Sequence, residues 1–373
     1  MENRKNLNLR HWPVVICMLA LTAVSGGCLK NDKLNLEFDS IKPAEIGDGL
    51  TLSTLKAEAM DSAAITGIYR DIYRDDNLWS LRSMLIFRNG KLVAESYLKD
   101  KQDIINRHLI WSCTKQFMGV LTGIALENGV IGNLYDPISK YLDSELASHQ
   151  DKKDITIRDL ITMRSGINFN NEGLGGNTDK MLRQIPDNSV SYILNLPMNA
   201  IQGEVFHYND GNPHLMSAII QKRTGRATDV WADEVLFSKI ELTNYNWVRY
   251  RDGITLGAFG IETTPREMAK LALCVAANGK WKGEQVVDPE WISQMTHPQA
   301  WDPLSQLSFG YFWWIDTARN ICFMDGHGGQ YAFIVPAKNL VVVMTSFPNT
   351  QDDYQIRANE ALPIVDRIVA AAN

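Results

Sequence analysis

The pattern Ser-x-x-Lys occurs three times in the chain, at Ser53/Lys56, Ser96/Lys99 and Ser112/Lys115. On a helix, positions i and i+3 lie on one face about one turn apart, so a serine hydroxyl and a lysine amine can touch. In a pocket poor in water the amine loses pKa and can take the serine proton, which turns the oxygen into a nucleophile toward an acyl carbon. The local elements separate the three pairs. Ser96 ends an expected strand, where i and i+3 point to opposite faces. Ser53 opens a helix next to a polar stretch and reads as an N-cap. Ser112 opens a long helix with apolar positions at Phe117, Val120, Leu121, Ile124 and Ala125. There the open N–H groups and the helix dipole favour a developing anion. The plain alternative is that Ser112 is one more N-cap.

The elements that must position this pair follow from pattern and punctuation. Residues 53–73 read as a helix. Residues 83–87 and 92–94 are paired strands, joined by Asn89-Gly90, a type I′ turn signal. The Ser112 helix stops at Gly129. Thr156 and Asp159 form a capping-box-like start to a helix ending at Gly166. Gly173-Leu174-Gly175-Gly176 is a loop with no strand before it, which disfavours a phosphate cradle. A helix runs from Pro265 to about Asn278-Gly279. Strands are expected over 309–315, 321–324, 331–335 and 340–345, and a closing helix over 355–372. Strands at both ends with helices between them imply an α+β layering, an antiparallel sheet flanked by helices plus an inserted helical lobe at about 133–245.

With these elements in place, Trp111-Ser112-Cys113-Thr114-Lys115-Gln116-Phe117 resembles the active-site helix of the serine β-lactamase and penicillin-binding-protein superfamily. The closest branch holds class C β-lactamases, related esterases and 6-aminohexanoate-dimer hydrolases. Leu134-Tyr135-Asp136-Pro137-Ile138, the segment from Ile155 to Gly166, Thr264-Pro265-Arg266-Glu267-Met268-Ala269 and Phe309-Gly310-Tyr311-Phe312-Trp313-Trp314 are similar to later landmarks in the same order. The resemblance implies a β-lactamase/transpeptidase-like fold and an acyl-enzyme mechanism without a cofactor. It places Tyr208, in Phe206-His207-Tyr208-Asn209-Asp210, as the proton-handling phenol. Asp210 stands where the family has Asn; an ionised Asp only accepts hydrogen bonds, and it could pair with Lys115 and raise its pKa. Asp325-Gly326-His327-Gly328-Gly329-Gln330 resembles the family's His-x-Gly element. It implies an oxyanion hole from the N–H groups of Ser112 and Gln330, with Asp210, His327, Gly328 and Gly329 on the substrate. Two glycines in a strand would let a substrate approach the backbone. The alternatives are a buried tyrosine with a satisfied hydroxyl at 208 and a structural histidine at 327.

Composition narrows the rest. The chain has 373 residues, 45% hydrophobic and 21% charged, with a net charge of −6. That is enough for a large core, and neither disorder nor a nucleic-acid surface is favoured. No HExxH or HxH spacing suggests a metal, and no Gly-x-Ser-x-Gly elbow occurs. Arg4, Lys5 and Arg10, the apolar run from Val14 to Val24 and Ser25-Gly26-Gly27-Cys28 read as an export signal over 1–27. It resembles a bacterial lipobox, which would lipidate Cys28 and anchor the chain to a membrane, facing the periplasm or cell exterior. Residues 28–50 then read as a tether and 51–373 as the hydrolase domain. Cys113, Cys274 and Cys322 are expected to be buried thiols. The expected function is a serine hydrolase of esters or amides. D-alanyl peptidase and β-lactamase activity stand as alternatives, as does a non-catalytic envelope ligand-binding protein of the same fold.

Overall fold

The structure, a computed structural model, describes residues 35–171, 187–347 and 356–373. The leader, Cys28 and the glycine loop at 173–176 lie outside the described residues. The sheet strands are β1 Leu81–Arg88, β2 Lys91–Tyr97, β3 Ala300–Asp302, β4 Leu307–Phe309, β5 Trp314–Asp316, β6 Ile321–Gly326, β7 Gln330–Val335 and β8 Leu340–Ser346. They form one antiparallel sheet in the order β2-β1-β8-β7-β6-β5-β4-β3. Strands from the two ends of the domain therefore pair directly, one strand in from the edge at β2, where Met84 lies opposite Met344. Every residue of β8, Leu-Val-Val-Val-Met-Thr-Ser, is buried. A strand with both faces covered has no polar face to alternate with its apolar one. Asn89 (φ 52°) and Gly90 (φ 76°) both adopt the left-handed conformation that the type I′ turn between β1 and β2 requires.

The helices used below are α1 Ser62–Arg74, α2 Thr114–Glu127, α3 Ile157–Ile161, α4 Gly211–Thr224, α5 Pro265–Ala276, α6 Pro289–Met295 and α7 Ala358–Ala370. Helices α1 and α7 pack on each other, and α5 lies across β1, β7 and β8. Helix α2 packs on the lobe helix α4 and on α6, the turn just ahead of it packs on β6 and β7, and nearly all of the helix is buried. The capping box at Thr156 is present, with Thr156 Oγ1 accepting from the Asp159 N–H at 3.1 Å and Asp159 accepting in return from the Thr156 N–H at 2.9 Å.

Four expectations change. The first helix starts at Ser62 under an Asp61 cap, not at 53, and Ser53 instead donates its hydroxyl to Glu58 at 2.8 Å. Helix α3 ends at Ile161, well short of Gly166. The strand expected over 309–315 is broken between Phe309 and Trp314. Phe312 has φ 63°, its N–H reaches the carbonyl of Ile161, and its own carbonyl accepts from Gln116 Nε2 at 2.7 Å, so this loop ties sheet, lobe and α2 together. The described part of the supposed tether, from residue 35 onward, is bound to the domain. The Leu36 N–H donates to the Leu98 carbonyl at 2.7 Å, and buried Arg266 bonds Asp48 at 2.9 Å and the Ala44 carbonyl at 2.6 Å.

Gly123 carries the close approach of α2 and α6. A Cβ there would sit 2.1 Å from the Trp291 ring, whose Nε1 donates to the Gly119 carbonyl at 3.1 Å. Replacing a helical glycine by alanine normally gains about 1 kcal/mol in propensity. Here the rigid indole must move, so Gly123→Ala should lower stability by about 1–3 kcal/mol. Urea unfolding measures the sign, and a stabilised variant would refute the contact.

Candidate active site

Ser112 lies on a single 3₁₀ turn, Trp111–Cys113, immediately ahead of α2, and Lys115 is one residue into the helix proper. The spacing does what the sequence suggested: Lys115 Nζ donates to Ser112 Oγ at 2.8 Å. The turn is fixed against the strands. Cys113 Sγ donates to the Gln330 carbonyl at 3.3 Å, and a Cβ on Gly326 would fall 2.3 Å from the Ile110 carbonyl. The other two Ser-x-x-Lys pairs serve no such purpose, since Ser53 bonds Glu58 and Ser96 bonds the Tyr73 hydroxyl at 2.7 Å.

Lys115 is fully buried, and its ammonium is held by Ser112 Oγ, the Ala258 carbonyl at 3.0 Å and Asp210 Oδ1 at 2.7 Å, with the Tyr208 hydroxyl also in hydrogen-bonding reach. Burial alone would lower its pKa. The adjacent Asp210 carboxylate, aided by Tyr208, overrides burial and holds it above the ordinary lysine value. The expected uncharged amine is thus corrected: at rest Lys115 is an ammonium in an ion pair. Asp210 is held in turn by Asn171, whose Nδ2 donates to its carboxylate at 2.9 Å and whose Oδ1 accepts the Asp210 N–H at 3.0 Å.

Tyr208 completes the cluster. Its ring lies 4.9 Å from Lys115 Nζ and stacks on Trp314 at 5.6 Å. Burial raises its phenol above the usual range; Lys115 pulls it down, Asp210 pushes it up, and hydrogen bonding to Ser112 and Lys115 lowers it again. The phenol is therefore neutral at pH 7 and able to donate. The structure thus brings together Ser112, Lys115, Tyr208 and Asp210, with Gln330 at the start of β7 beside the serine turn.

His327, Gly328 and Gly329 sit in the turn between β6 and β7 and not within a strand, with φ of 85° and 97° at the two glycines. These angles explain the glycines by the tight turn itself. The His327 side is exposed, and its ring meets Trp111 edge-on at 5.2 Å. Trp313 is core and Tyr311 stacks on Trp291, whereas Trp314 lines a cavity of about 980 Å³ with Tyr208.

Three participants escaped sequence reasoning: Asn171, the Ala258 carbonyl and Asp325. The first two act across 39 and 143 positions, and nothing in their local sequence signals it. Asp325 adjoined a recognised motif but had no assigned role. A buried Ser189–His214–Asp252 cluster resembles a triad in composition only. Ser189 Oγ bonds both His214 Nε2 at 2.7 Å and Asp252 at 2.6 Å, and burial depresses the histidine to about 4. Among the described residues, Cys113, Cys274 and Cys322 are free and buried.

A sheet-and-lobe fold with a serine, lysine and tyrosine meeting in this order is the architecture of the serine β-lactamases and penicillin-binding proteins. The Beta-lactamase family profile matches residues 57–363, and the chain belongs to that family. It is similar to the 6-aminohexanoate-dimer hydrolase of Paenarthrobacter ureafaciens, 20% identical over 291 residues, which cover 72% of this chain and 73% of the relative. Its fold matches that of a Bacillus anthracis protein named provisionally as a 6-aminohexanoate-dimer hydrolase, with TM-score 0.70, 21% identity and 91% of each chain covered. It also matches a penicillin-binding protein from Bacillus halodurans, with TM-score 0.62, 16% identity, and 82% of this chain and 99% of that one covered.

Because Lys115 and Asp210 are both buried, removing one strands the other. Lys115→Met should lower stability by about 3–5 kcal/mol, and adding Asp210→Asn should restore most of it. Equal losses in single and double variants, read by urea unfolding, would show that the pair is not coupled.

Proposed function

We propose that the protein hydrolyses ester or amide bonds through an acyl-enzyme on Ser112, and the observation that carries this is the 2.8 Å contact between Lys115 Nζ and Ser112 Oγ beside the Tyr208 phenol. In this reading the small fraction of Lys115 that has lost its proton takes the one from Ser112. Ser112 Oγ bonds to the carbonyl carbon, and the carbonyl electron pair moves onto oxygen, facing the N–H groups of Ser112 and Gln330. Tyr208 delivers a proton to the departing atom and recovers one from Lys115; a water molecule then releases the acyl group by the reverse proton route. The Paenarthrobacter relative bears the name of a hydrolase, which supports turnover over simple binding. The preferred substrates are esters and small amides, with D-alanyl peptides and β-lactams behind them. The sequence pattern ending at Cys28 supports an exported, lipid-anchored enzyme that meets its substrates in the cell envelope.

One observation favours a second reading. An ammonium held by Asp210 is a poor base, and each unit by which its pKa exceeds the working pH costs about 1.4 kcal/mol. A binding protein on this fold would show no turnover. A fluorophosphonate distinguishes the two: the hydrolase is labelled, and Ser112→Ala abolishes the label. An unlabelled wild type would leave the binder.

The pH dependence follows from the same pair. A base acts deprotonated, and Lys115 is held protonated, so kcat/KM on a p-nitrophenyl ester should climb from neutral into alkaline pH. Asp210→Asn removes the group that raises the lysine while burial continues to lower it. The acid limb should then move to lower pH by about one unit or more, and the rate at pH 7 should rise about tenfold. An unmoved limb would mean that the pair has no part in setting the base.

A further inference from the structure

The cavity on whose wall Tyr208 stands is lined by Phe206, Tyr208, Trp314 and Tyr331, together with three carboxylates, Asp302, Asp316 and Asp325, the last at the end of β6. Three of the rings are packed into one surface, with Tyr208 stacked on Trp314 and Phe206 edge-on to Trp314 at 6.2 Å. The other charges of the cavity are engaged or peripheral. Arg319 bonds Asp316 at 2.8 Å and Asp366 at 3.0 Å. Asp302 accepts from the N–H groups of its own loop, Leu304 at 3.0 Å and Ser305 at 3.2 Å. Arg357 is exposed at the rim. Asp325 is different, for among the described residues no hydrogen bond or ion pair holds its carboxyl. Burial raises it to about 7, against the pull of the Lys115 ammonium. Asp325 is half-buried, so its carboxyl is open to the cavity, where a cation can pair with it, and aromatic faces around it attract the same kind of ligand.

We propose that this cavity is the leaving-group pocket of the hydrolase and that it selects leaving groups carrying an organic cation, an ammonium or quaternary amine held by Asp325 within the aromatic walls of Tyr208, Trp314, Phe206 and Tyr331. The inference rests on the hydrolase reading above, because the side of the cavity is set by Tyr208, which protonates the departing atom. A cation there also answers the position of Asp325, which lies close enough to Lys115 to feel its charge but makes no bond to it.

The experiment compares kcat/KM for choline butyrate and for its uncharged isostere, in which carbon replaces the quaternary nitrogen. The cationic ester should be favoured by about tenfold or more, and tetramethylammonium chloride should inhibit competitively where sodium chloride at equal ionic strength does not. Asp325→Asn should bring the ratio of the two esters close to one, and Asp325→Glu should restore a ratio above one. If Asp325→Asn does not fold, the wild-type ratio and the tetramethylammonium inhibition still decide. A wild-type ratio of one or less, a ratio unchanged in Asp325→Asn, or fluorophosphonate labelling without turnover of either ester overturns the pocket alone. A wild type that neither hydrolyses an ester nor takes the label overturns the hydrolase reading, and this inference with it.

Discussion

The rest of the site depends on a buried ammonium held between a hydroxyl and a carboxylate. Lys115 has no exposed surface, and its ammonium is held by Ser112, Ala258 and Asp210, with the Tyr208 hydroxyl beside it. Such a group is tolerated only because its charge is paired and its donors are filled. The same pairing sets its chemistry. In a buried lysine without a counter-ion, desolvation makes the amine a base near neutral pH; Asp210 reverses that balance. Ser112 is thus positioned by a hydrogen bond from the cation, and an amine proposed as the base is mostly protonated at rest. Tyr208, kept neutral by burial, has a proton it can donate.

This arrangement needs three layers of structure to converge. The serine turn and α2 come from one stretch of chain, Tyr208 and Asp210 from the lobe, and Gln330 from the sheet. The layers are locked by a small number of polar links whose partners are far apart in sequence. Gln116 to Phe312 and Phe312 to Ile161 join all three. Close backbone approach at Gly326 sets the serine turn directly on β6. Asp325 pairs with Tyr331 on β7, next to Gln330, so the strand ladder sets its place relative to the serine turn.

The cavity beside Tyr208 separates attack from recognition. Ser112, Lys115, Tyr208 and Asp210 use their polar atoms on one another. The aromatic wall and Asp325 have capacity left for a ligand.

By itself the sequence determined whatever is local. The Ser112/Lys115 contact needs only one helical turn. The β1–β2 hairpin needs only Asn89-Gly90, and the α3 start needs only the Thr156/Asp159 exchange. The order of strands and helices also follows from the placement of apolar runs and their punctuation. Tertiary structure decided what depends on groups distant in the chain. The pairing of Lys115 with Asp210, 95 positions away in sequence, could be suspected from the motif, but its balance against the loss of water around both groups could not be read there. The break at Phe312 is imposed by carbonyls and amides in other layers competing for its backbone. Asp325 becomes a candidate ligand site only because folding buries it among rings drawn from the lobe and the sheet and gives it no donor of its own. Electrostatics and desolvation act through space, so they could be weighed only once the chain was folded.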